Sequence, residues 1–227
     1  YTRSRRDSEL LATWLQQQGH ETAAYHAGLS APHRRRIEQQ WLLGQMPFVI
    51  CTSAFGMGVD KSNVVWICHF HPPLTLAEYL QEIGRAGRDG QPAQTVLLAS
   101  EPTGLLDPTD KERREGFLKQ LRSQTQLAQR LAQKLPREGY LPDVIKQYPQ
   151  AELALAILHQ QNQLIWVDPF HYRLHKSTQP IPSSEPQTSI ESYLATKQCR
   201  WAFLLGAFGF AREAQGLRCE NCDRCKS

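Results

Sequence analysis

Hydrophobic positions in the first hundred residues alternate between helical and strand-like spacing. Apolar residues such as Leu11, Trp14 and Leu15 recur on one helix face, and short, nearly continuous apolar runs follow them. The pattern predicts helices over residues 8–19, 30–45 and 75–87, and strands over residues 21–27, 47–53, 64–70 and 94–100. Because continuous apolar runs are typical of strands covered on both faces, we expect a parallel, three-layer α/β domain ending near Ser100.

The second half of the chain has a different pattern. Residues 106–176 begin with a charged, Gln-rich stretch that predicts a connecting helix or a helical pair. The pattern then predicts two short helices and a hairpin around Asp168 and Pro169. Two helices followed by a hairpin are the outline of a winged helix, an outline that small helical hairpins largely share. Residues 177–189 hold three prolines and many hydroxyl side chains, which predicts an exposed linker, and residues 190–227 a helix closed by cysteines.

Composition narrows the class of protein only a little. The chain has 227 residues, of which 41% are hydrophobic and 21% charged, as in ordinary globular proteins. No apolar run approaches the roughly 20 residues that span a bilayer, and the first residues lack an apolar signal core. We therefore expect a cytoplasmic protein. A formal net charge of +4 is compatible with a nucleic-acid partner but is weak support for one.

Two arginines stand among three glycines in the stretch EYLQEIGRAGRDGQ, residues 78–91. Gln81, Arg85 and Arg88 follow one another at spacings of four and three, which predicts one face at the end of a helix. Glycines between them would leave that face bare, so that another surface could approach closely. Because a guanidinium is always charged and binds phosphate oxygens bidentately, the pattern predicts contact with a triphosphate held by a different lobe.

Four of the six cysteines crowd the C-terminal end with the spacing C-x19-C-x2-C-x2-C. Four thiolates complete a tetrahedral shell, so the spacing predicts a closed, structural zinc site. Its ligands would be Cys199, Cys219, Cys222 and Cys225. An iron–sulfur cluster is the alternative, since two-residue spacings with a distant fourth cysteine also occur in ferredoxins. No proline follows Cys225, as the ferredoxin pattern would require, and this favours zinc.

Several motifs together resemble the RecQ family of DNA helicases. They are AYHAGL (24–29), TSAFGMGVDK (52–61), HFHPPLTLAEYLQEIGRAGRDG (69–90) and the terminal cysteines. The resemblance implies a RecA-like C-terminal lobe over residues 1–105 and a zinc-binding module over residues 190–227. It also implies an ATP-dependent 3′-to-5′ helicase that acts on single-stranded and branched duplex DNA in recombination and repair, associated with the nucleoid in a bacterium.

By the same resemblance, Arg88 would be the arginine finger that reaches the γ-phosphate across the cleft between two lobes. Arg85 would contact phosphate or couple the cleft to DNA, and Gln81 would belong to the same catalytic motif. Gly58 and Asp60 match the loop that helicases of this superfamily place near the nucleotide.

Three further residues match motifs that follow the bound DNA strand: His26, Gly28 and Thr52. His26 has a second interpretation, as a core or surface histidine with satisfied hydrogen bonds. The position of the candidate winged helix departs from the family, in which a winged helix follows the zinc module. The family's duplex-separating hairpin therefore cannot be assigned to any residue of this chain.

The sequence contains no G-x-x-x-x-G-K-[ST] phosphate loop and no acidic pair suited to Mg²⁺. We therefore expect ATP and Mg²⁺ to bind only with an N-terminal RecA-like lobe, and the chain alone to be inactive. The simplest explanation is a fragment of a longer motor. The alternatives are a non-catalytic zinc-containing DNA-binding adapter and a redox protein that carries a cluster.

Overall fold

The computed structural model describes residues 1–55, 60–99, 108–161, 163–175 and 189–226. The described residues form two compact units. Unit 1 combines Tyr1–Asp110 with Pro186–Ser227, and unit 2 is Lys111–Glu185. The predicted linker lies outside the described residues apart from Ser189. Among the described helices, none combines the length and the hydropathy that crossing a bilayer requires.

Unit 1 begins with alternating helices and strands, as the hydrophobic pattern predicts. Ser4 caps the first helix by accepting a hydrogen bond from the Asp7 N–H at 3.0 Å, and the acidic side chain suits the positive end of the helix. The helix therefore starts three residues before the predicted position. The elements are α1 (Arg5–Gln17), β1 (Ala24–Tyr25), α2 (Ala31–Leu42), β2 (Ile50–Cys51), β3 (Trp66–His69), α3 (Leu76–Ile83) and β4 (Gln94–Leu97).

The strands of unit 1 pair in parallel, which confirms the predicted sheet type. β1 pairs with β2, and β3 pairs with β4. The Thr2 N–H donates to the Cys51 carbonyl at 2.8 Å, and the Tyr1 carbonyl accepts from the Phe70 N–H at 2.8 Å. The first two residues therefore lie between the two strand pairs and join them.

The strands are shorter and less covered than predicted. β1 and β2 contain two residues each. Trp66 of β3 is 48% exposed and Val96 of β4 is 47% exposed. The expectation that both faces are covered is therefore wrong for the β3–β4 pair, because an apolar run reports side-chain composition and not what packs over it.

The C-terminal part of unit 1 packs against α3. It contains α7 (Ile190–Ala195), α8 (Arg200–Ala207) and α9 (Ala211–Ala214). The predicted single helix is interrupted between α7 and α8, and Cys199 occupies the N-cap position of α8. Leu76 and Tyr79 of α3 form one buried cluster with residues of α7 and α8, so the cysteine-bearing end belongs to the same core.

Unit 2 contains a connecting helix, two short helices and a hairpin, and also a strand before the short helices that the sequence pattern did not predict. Its elements are α4 (Thr109–Ala132), whose first two residues belong to unit 1, and then β5 (Glu138–Tyr140), α5 (Leu141–Gln147), α6 (Ala151–Gln160), β6 (Leu164–Trp166) and β7 (His171–Leu174). The three strands form an antiparallel sheet in the order β5-β7-β6. Leu155, Leu158 and Tyr172 are almost completely buried in its core, so unit 2 has an apolar core of its own.

Candidate functional site

The two arginines of the sequence motif lie in the turn that follows α3. The helix ends at Ile83, with Gly84 as its C-cap, so Gln81 is helical whereas Arg85 and Arg88 are not. The prediction that all three residues share one face of a helix end is therefore wrong. Gly84 explains the difference, since glycine has low helix propensity and ends helices readily.

A second glycine fixes the course of this turn. Gly87 has a φ of +67°, in the left-handed region that side chains rarely adopt. Its N–H donates to the Val64 carbonyl at 3.0 Å, and an added Cβ would lie 3.1 Å from the Gln91 carbonyl oxygen. The chain therefore needs glycine here both for the backbone conformation and for the close approach.

Arg88 forms an ion pair with Asp60 across this turn. The Arg88 Nε also donates to the Gly84 carbonyl at 3.3 Å. Asp60 precedes β3 and Arg88 precedes β4, so the parallel pairing of these strands brings the two residues together. Their side chains are 38% and 78% exposed, which leaves the guanidinium accessible to an anionic ligand.

Arg85 has a different neighbour. It is half-buried, and its guanidinium hydrogen-bonds the Tyr1 hydroxyl. Burial raises the pKa of the Tyr1 phenol, and the positive charge of Arg85 offsets only part of this rise. The two arginines are therefore anchored to separate groups, and Arg88 is the more exposed of the two.

A buried glutamate on α3 lies next to these arginines in sequence, and its role was missed from the sequence alone. Glu82 is 4% exposed. Its Oε2 lies 2.8 Å from His69 Nε2 and 3.0 Å from Arg3 Nη2. A charged residue on the buried face of a short helix was the available signal, because such a charge needs partners.

Burial and hydrogen bonding together determine the protonation of this cluster. Burial alone would raise the pKa of Glu82, but the His69 hydrogen bond and the Arg3 charge outweigh it and hold the pKa below its usual value. Burial lowers the pKa of His69 by more than Glu82 raises it. A neutral His69 therefore donates its Nε2 proton to an ionised Glu82.

The histidine predicted to follow the DNA strand is buried. His26 is 4% exposed, with its Nε2 2.9 Å from Glu9 Oε1 and its Nδ1 accepting from the Gly28 N–H at 3.2 Å. An added Cβ on Gly28 would lie 3.0 Å from Arg5 Nη1. The His26 ring therefore shapes the loop from inside, and Gly28 allows Arg5 to lie against that loop.

Of the loop that follows β2, the structure describes the two ends. Thr52 lies directly after β2, and its hydroxyl accepts a hydrogen bond from the Ala54 N–H at 3.4 Å. Asp60 is at the other end, paired with Arg88. Gly58 lies outside the described residues.

The four C-terminal cysteines come together. Their Sγ atoms all lie within 4.8 Å of one another, and Cys199 comes from the start of α8 while the others come from the final loop. Four Zn–S bonds of about 2.3 Å place the sulfurs of a tetrahedral site about 3.8 Å apart. The donor set and its spacing therefore fit one metal ion after small side-chain adjustments.

Backbone amides surround these sulfurs. The Cys219 N–H donates to Cys199 Sγ at 3.3 Å, and the Arg200 N–H donates to Cys222 Sγ at 3.4 Å. Burial raises the pKa of Cys199, but the amide hydrogen bonds outweigh it and lower the pKa to about 6. Burial raises the pKa of Cys219 to about 11. Amide donors favour the thiolate, which is the form that binds metals.

The chain is similar in sequence to known proteins. Residues 1–90 match the family described as helicase conserved C-terminal domain. An ATP-dependent DNA helicase RecQ from Synechocystis sp. is 44% identical over 229 residues, which cover 99% of this chain and 48% of that protein. Over almost its whole length the chain is therefore similar to a member of the RecQ family. It spans about half the length of this curated relative.

Other RecQ relatives match a shorter region. The ATP-dependent DNA helicase RecQ of Haemophilus influenzae is 44% identical over 97 residues, which are 43% of this chain and 16% of that protein. A solved structure of the E. coli DEAD-box protein SrmB, bound to regulator of ribonuclease activity A, has a TM-score of 0.41 and 24% identity. It covers 46% of this chain and 61% of that one.

The length of the Synechocystis match bears on the order of the domains. Because that match covers 99% of the chain, it includes the segment between the lobe and the cysteines. The placement of unit 2 before the cysteines, which differs from the order expected for the family, is therefore shared with at least one RecQ relative.

Proposed function

We propose that this chain supplies the second RecA-like lobe and a zinc-binding module of an ATP-dependent DNA helicase. The observation that carries the proposal is Arg88, an exposed guanidinium held by Asp60 in a turn that glycines shape. The curated RecQ relatives are named ATP-dependent DNA helicases. In a bacterial cell such an enzyme would work at the nucleoid, in recombination and repair.

In this proposal Arg88 acts on ATP that a first lobe holds. Negative charge spreads over the γ-phosphoryl oxygens in the transition state, and an arginine finger that neutralises it accelerates the reaction by about 10³–10⁵-fold. Asp60 would orient Arg88 until the lobes close, when phosphate oxygens replace the carboxylate. The first lobe would contribute the Mg²⁺ ligands and the phosphate loop, which the 227-residue sequence lacks.

The remaining predicted residues would support the cleft and the DNA strand. Gly58 and Gln81 would line the nucleotide side. Thr52 and the loop at Gly28 would contact the strand backbone, with His26 acting through the shape of that loop. Closure on ATP and reopening after hydrolysis would move the lobe along one strand in the 3′-to-5′ direction.

An unwinding assay tests this function. A longer protein that joins this chain to a first RecA-like lobe should hydrolyse ATP when single-stranded DNA is added and should unwind a duplex with a 3′ tail. A 5′-tailed duplex is the polarity control. Absence of ATP-dependent unwinding by the longer protein would reject the proposal, and ATP turnover by the 227-residue chain alone would contradict the need for a first lobe.

We further propose that the cysteine cluster binds one structural zinc ion. Four thiolates would fill the tetrahedral shell and leave no position for a reacting water, so the metal would stabilise the fold without taking part in catalysis. Elemental analysis should find about one zinc per chain and no visible absorption. A brown protein with iron, acid-labile sulfide and absorption near roughly 400 nm would instead indicate an iron–sulfur cluster.

Unit 2 favours a second candidate function, that of a zinc-containing DNA-binding adapter without catalysis. Its order of helix, strand, two helices and two strands, with the sheet order β5-β7-β6, suits a winged helix. If unit 2 binds duplex DNA, deleting residues 111–185 should weaken the binding and flatten its dependence on salt, because fewer counterions are released. An unchanged salt slope would reject a DNA-binding role for unit 2.

A further inference from the structure

We propose that the cysteine loop, which carries Cys219, Cys222 and Cys225 after α9, holds α3 in position. The contacts run through Arg200, Tyr193 and Tyr79. Arg200 and Tyr193 would then be positioning residues for the arginine segment that follows α3. The catalytic consequence rests on the proposed function of Arg88, whereas the mechanical coupling can be tested without any helicase activity.

The first link joins Arg200 to the cysteine loop. Its backbone N–H donates to Cys222 Sγ at 3.4 Å. Its guanidinium binds Asp223 bidentately, with Nε to Oδ1 and Nη2 to Oδ2 both at 2.9 Å. Because Asp223 directly follows the candidate metal ligand Cys222, these contacts join the Arg200 side chain to the cysteine loop.

The second link joins Arg200 to α7. The Arg200 Nη1 donates to the carbonyls of Tyr193 and Leu194, the latter at 3.3 Å. The guanidinium carbon also lies 5.0 Å from the centre of the Tyr193 ring, within the range of a cation–π contact. The Arg200 side chain is only 15% exposed, so water competes little for these contacts.

The third link crosses from α7 to α3. The Tyr193 hydroxyl donates to the Tyr79 hydroxyl at 3.2 Å, and the ring centroids are 5.1 Å apart. Both tyrosines are buried, at 6% and 4% exposure. Tyr79 also packs against His69, the partner of Glu82, at 5.3 Å between ring centroids. The contacts therefore reach the buried charge cluster of α3.

The helix α3 depends on such contacts for its position. It has eight residues, and a helix of that length is unstable in water without tertiary packing. The Glu82 side is anchored to Arg3 and His69, and the Tyr79 side to α7 and α8. The turn that carries Arg88 begins at the end of α3. Loss of the Tyr79 contacts would therefore let Arg88 occupy a wider range of positions.

Hydrogen exchange of the 227-residue chain tests the coupling. When zinc is removed by a chelator, amide exchange in residues 76–83 should speed up by about tenfold or more, whereas α2, which lies in a separate core cluster, should change little. Tyr193→Phe should speed exchange in residues 76–83 several-fold while the zinc content stays the same. Tyr25→Phe, which removes a hydroxyl contact with Glu38 in the other cluster, is the matched control.

Unchanged exchange in residues 76–83, both after chelation and in Tyr193→Phe, would overturn the proposal. Faster exchange in residues 76–83 would uphold the coupling even if the longer protein failed to unwind DNA. That failure would reject only the proposed function. The two failures are therefore distinguishable.

A double-mutant cycle tests the positioning role in the longer protein with its first lobe. Tyr193→Phe should lower kcat for ATP about threefold to tenfold and leave the Kd of ATP unchanged. In an Arg88→Ala background the same substitution should have almost no further effect, because it acts through the position of Arg88. An equal loss of kcat in both backgrounds would show that Tyr193 does not act through Arg88.

Discussion

Glu82 shows how a single buried carboxylate makes the stability of unit 1 depend on pH. Glu82 and His69 both have a pKa below the usual value in the fold, so the unfolded chain binds more protons than the native one. The free energy of unfolding should therefore fall as the pH drops below about 6.5, where an unfolded histidine becomes charged. The steepest slope for one proton is about 1.4 kcal/mol per pH unit.

This prediction can be checked by urea unfolding between about pH 5 and pH 7.5, followed by hydrogen exchange of α3. His69→Gln keeps a donor for Glu82 but cannot gain a proton, so its stability should change less with pH than that of the unsubstituted chain. His33→Gln, on the exposed side of α2, is the matched control. Acid also protonates the cysteine thiolates that bind metals, so the difference between the variants is the result that counts. Equal slopes in all three proteins would contradict the prediction.

Residues close in sequence were the ones that could be singled out as candidates. The C-x2-C-x2-C spacing alone indicates that these cysteines bind one metal centre together, and the four sulfurs do lie close to one another. The arginine–glycine run likewise marked Arg88. The Arg3–Glu82 pair spans 79 residues of chain, and no local pattern reports such a partner. The contact between Tyr193 and Tyr79, which are 114 residues apart, could not be predicted from the sequence for the same reason.

At the scale of elements, two glycines of unit 2 should respond to alanine in opposite ways. An added Cβ on Gly139 in β5 would lie 2.9 Å from the ring of Tyr172, which is almost completely buried. Gly139→Ala should therefore destabilise unit 2 by about 1–3 kcal/mol. Gly116 lies in α4 with nothing within 4 Å of an added Cβ, so Gly116→Ala should stabilise the helix by about 0.5–1 kcal/mol.

Hydrogen exchange of α4 and α6 under native conditions measures both effects and lets the two variants serve as controls for each other. Protection should fall in Gly139→Ala and rise in Gly116→Ala. Destabilisation by both substitutions to the same degree would mean that close contact with Tyr172 is not what requires glycine in β5.

Helices were predicted better than strands. The helical spacing of apolar side chains in α1 and α4 predicted helices near their observed positions, because this spacing can be read from the local sequence alone. The strands β1 and β2 came out at two residues each, since strand length depends on partners far away in sequence. The end of α3 was placed too late because the spacing of Arg85 and Arg88 fits a helix, although Gly84 ends it.

At the scale of the whole molecule, the separate cores of the two units predict a selective effect of losing a metal ligand. Cys222→Ser should make unit 1 sensitive to proteolysis or cause aggregation. The reason is that the free energy of metal binding at such a site contributes to the free energy of folding. Fragments of unit 2 should stay resistant, since its core contains no cysteine cluster residue. Cys68→Ser, outside the cluster, is the control and should keep its zinc.

Limited proteolysis with mass spectrometry, together with zinc analysis, distinguishes the outcomes. Cys222→Ser with native protease resistance in unit 1 would contradict a structural role for the metal. Equal sensitivity of both units would contradict their independence.

The proposed function requires Arg88 to stabilise the transition state of ATP hydrolysis once a first lobe is present. The most direct test is to measure kcat and the Kd of ATP for Arg88→Ala in the longer protein with its first lobe, with Arg6→Ala on the exposed side of α1 as the control. We expect kcat to fall by roughly 10³-fold or more while the Kd of ATP stays nearly unchanged. An equal loss of ATP affinity and kcat, or an unaffected kcat, would contradict this role of Arg88.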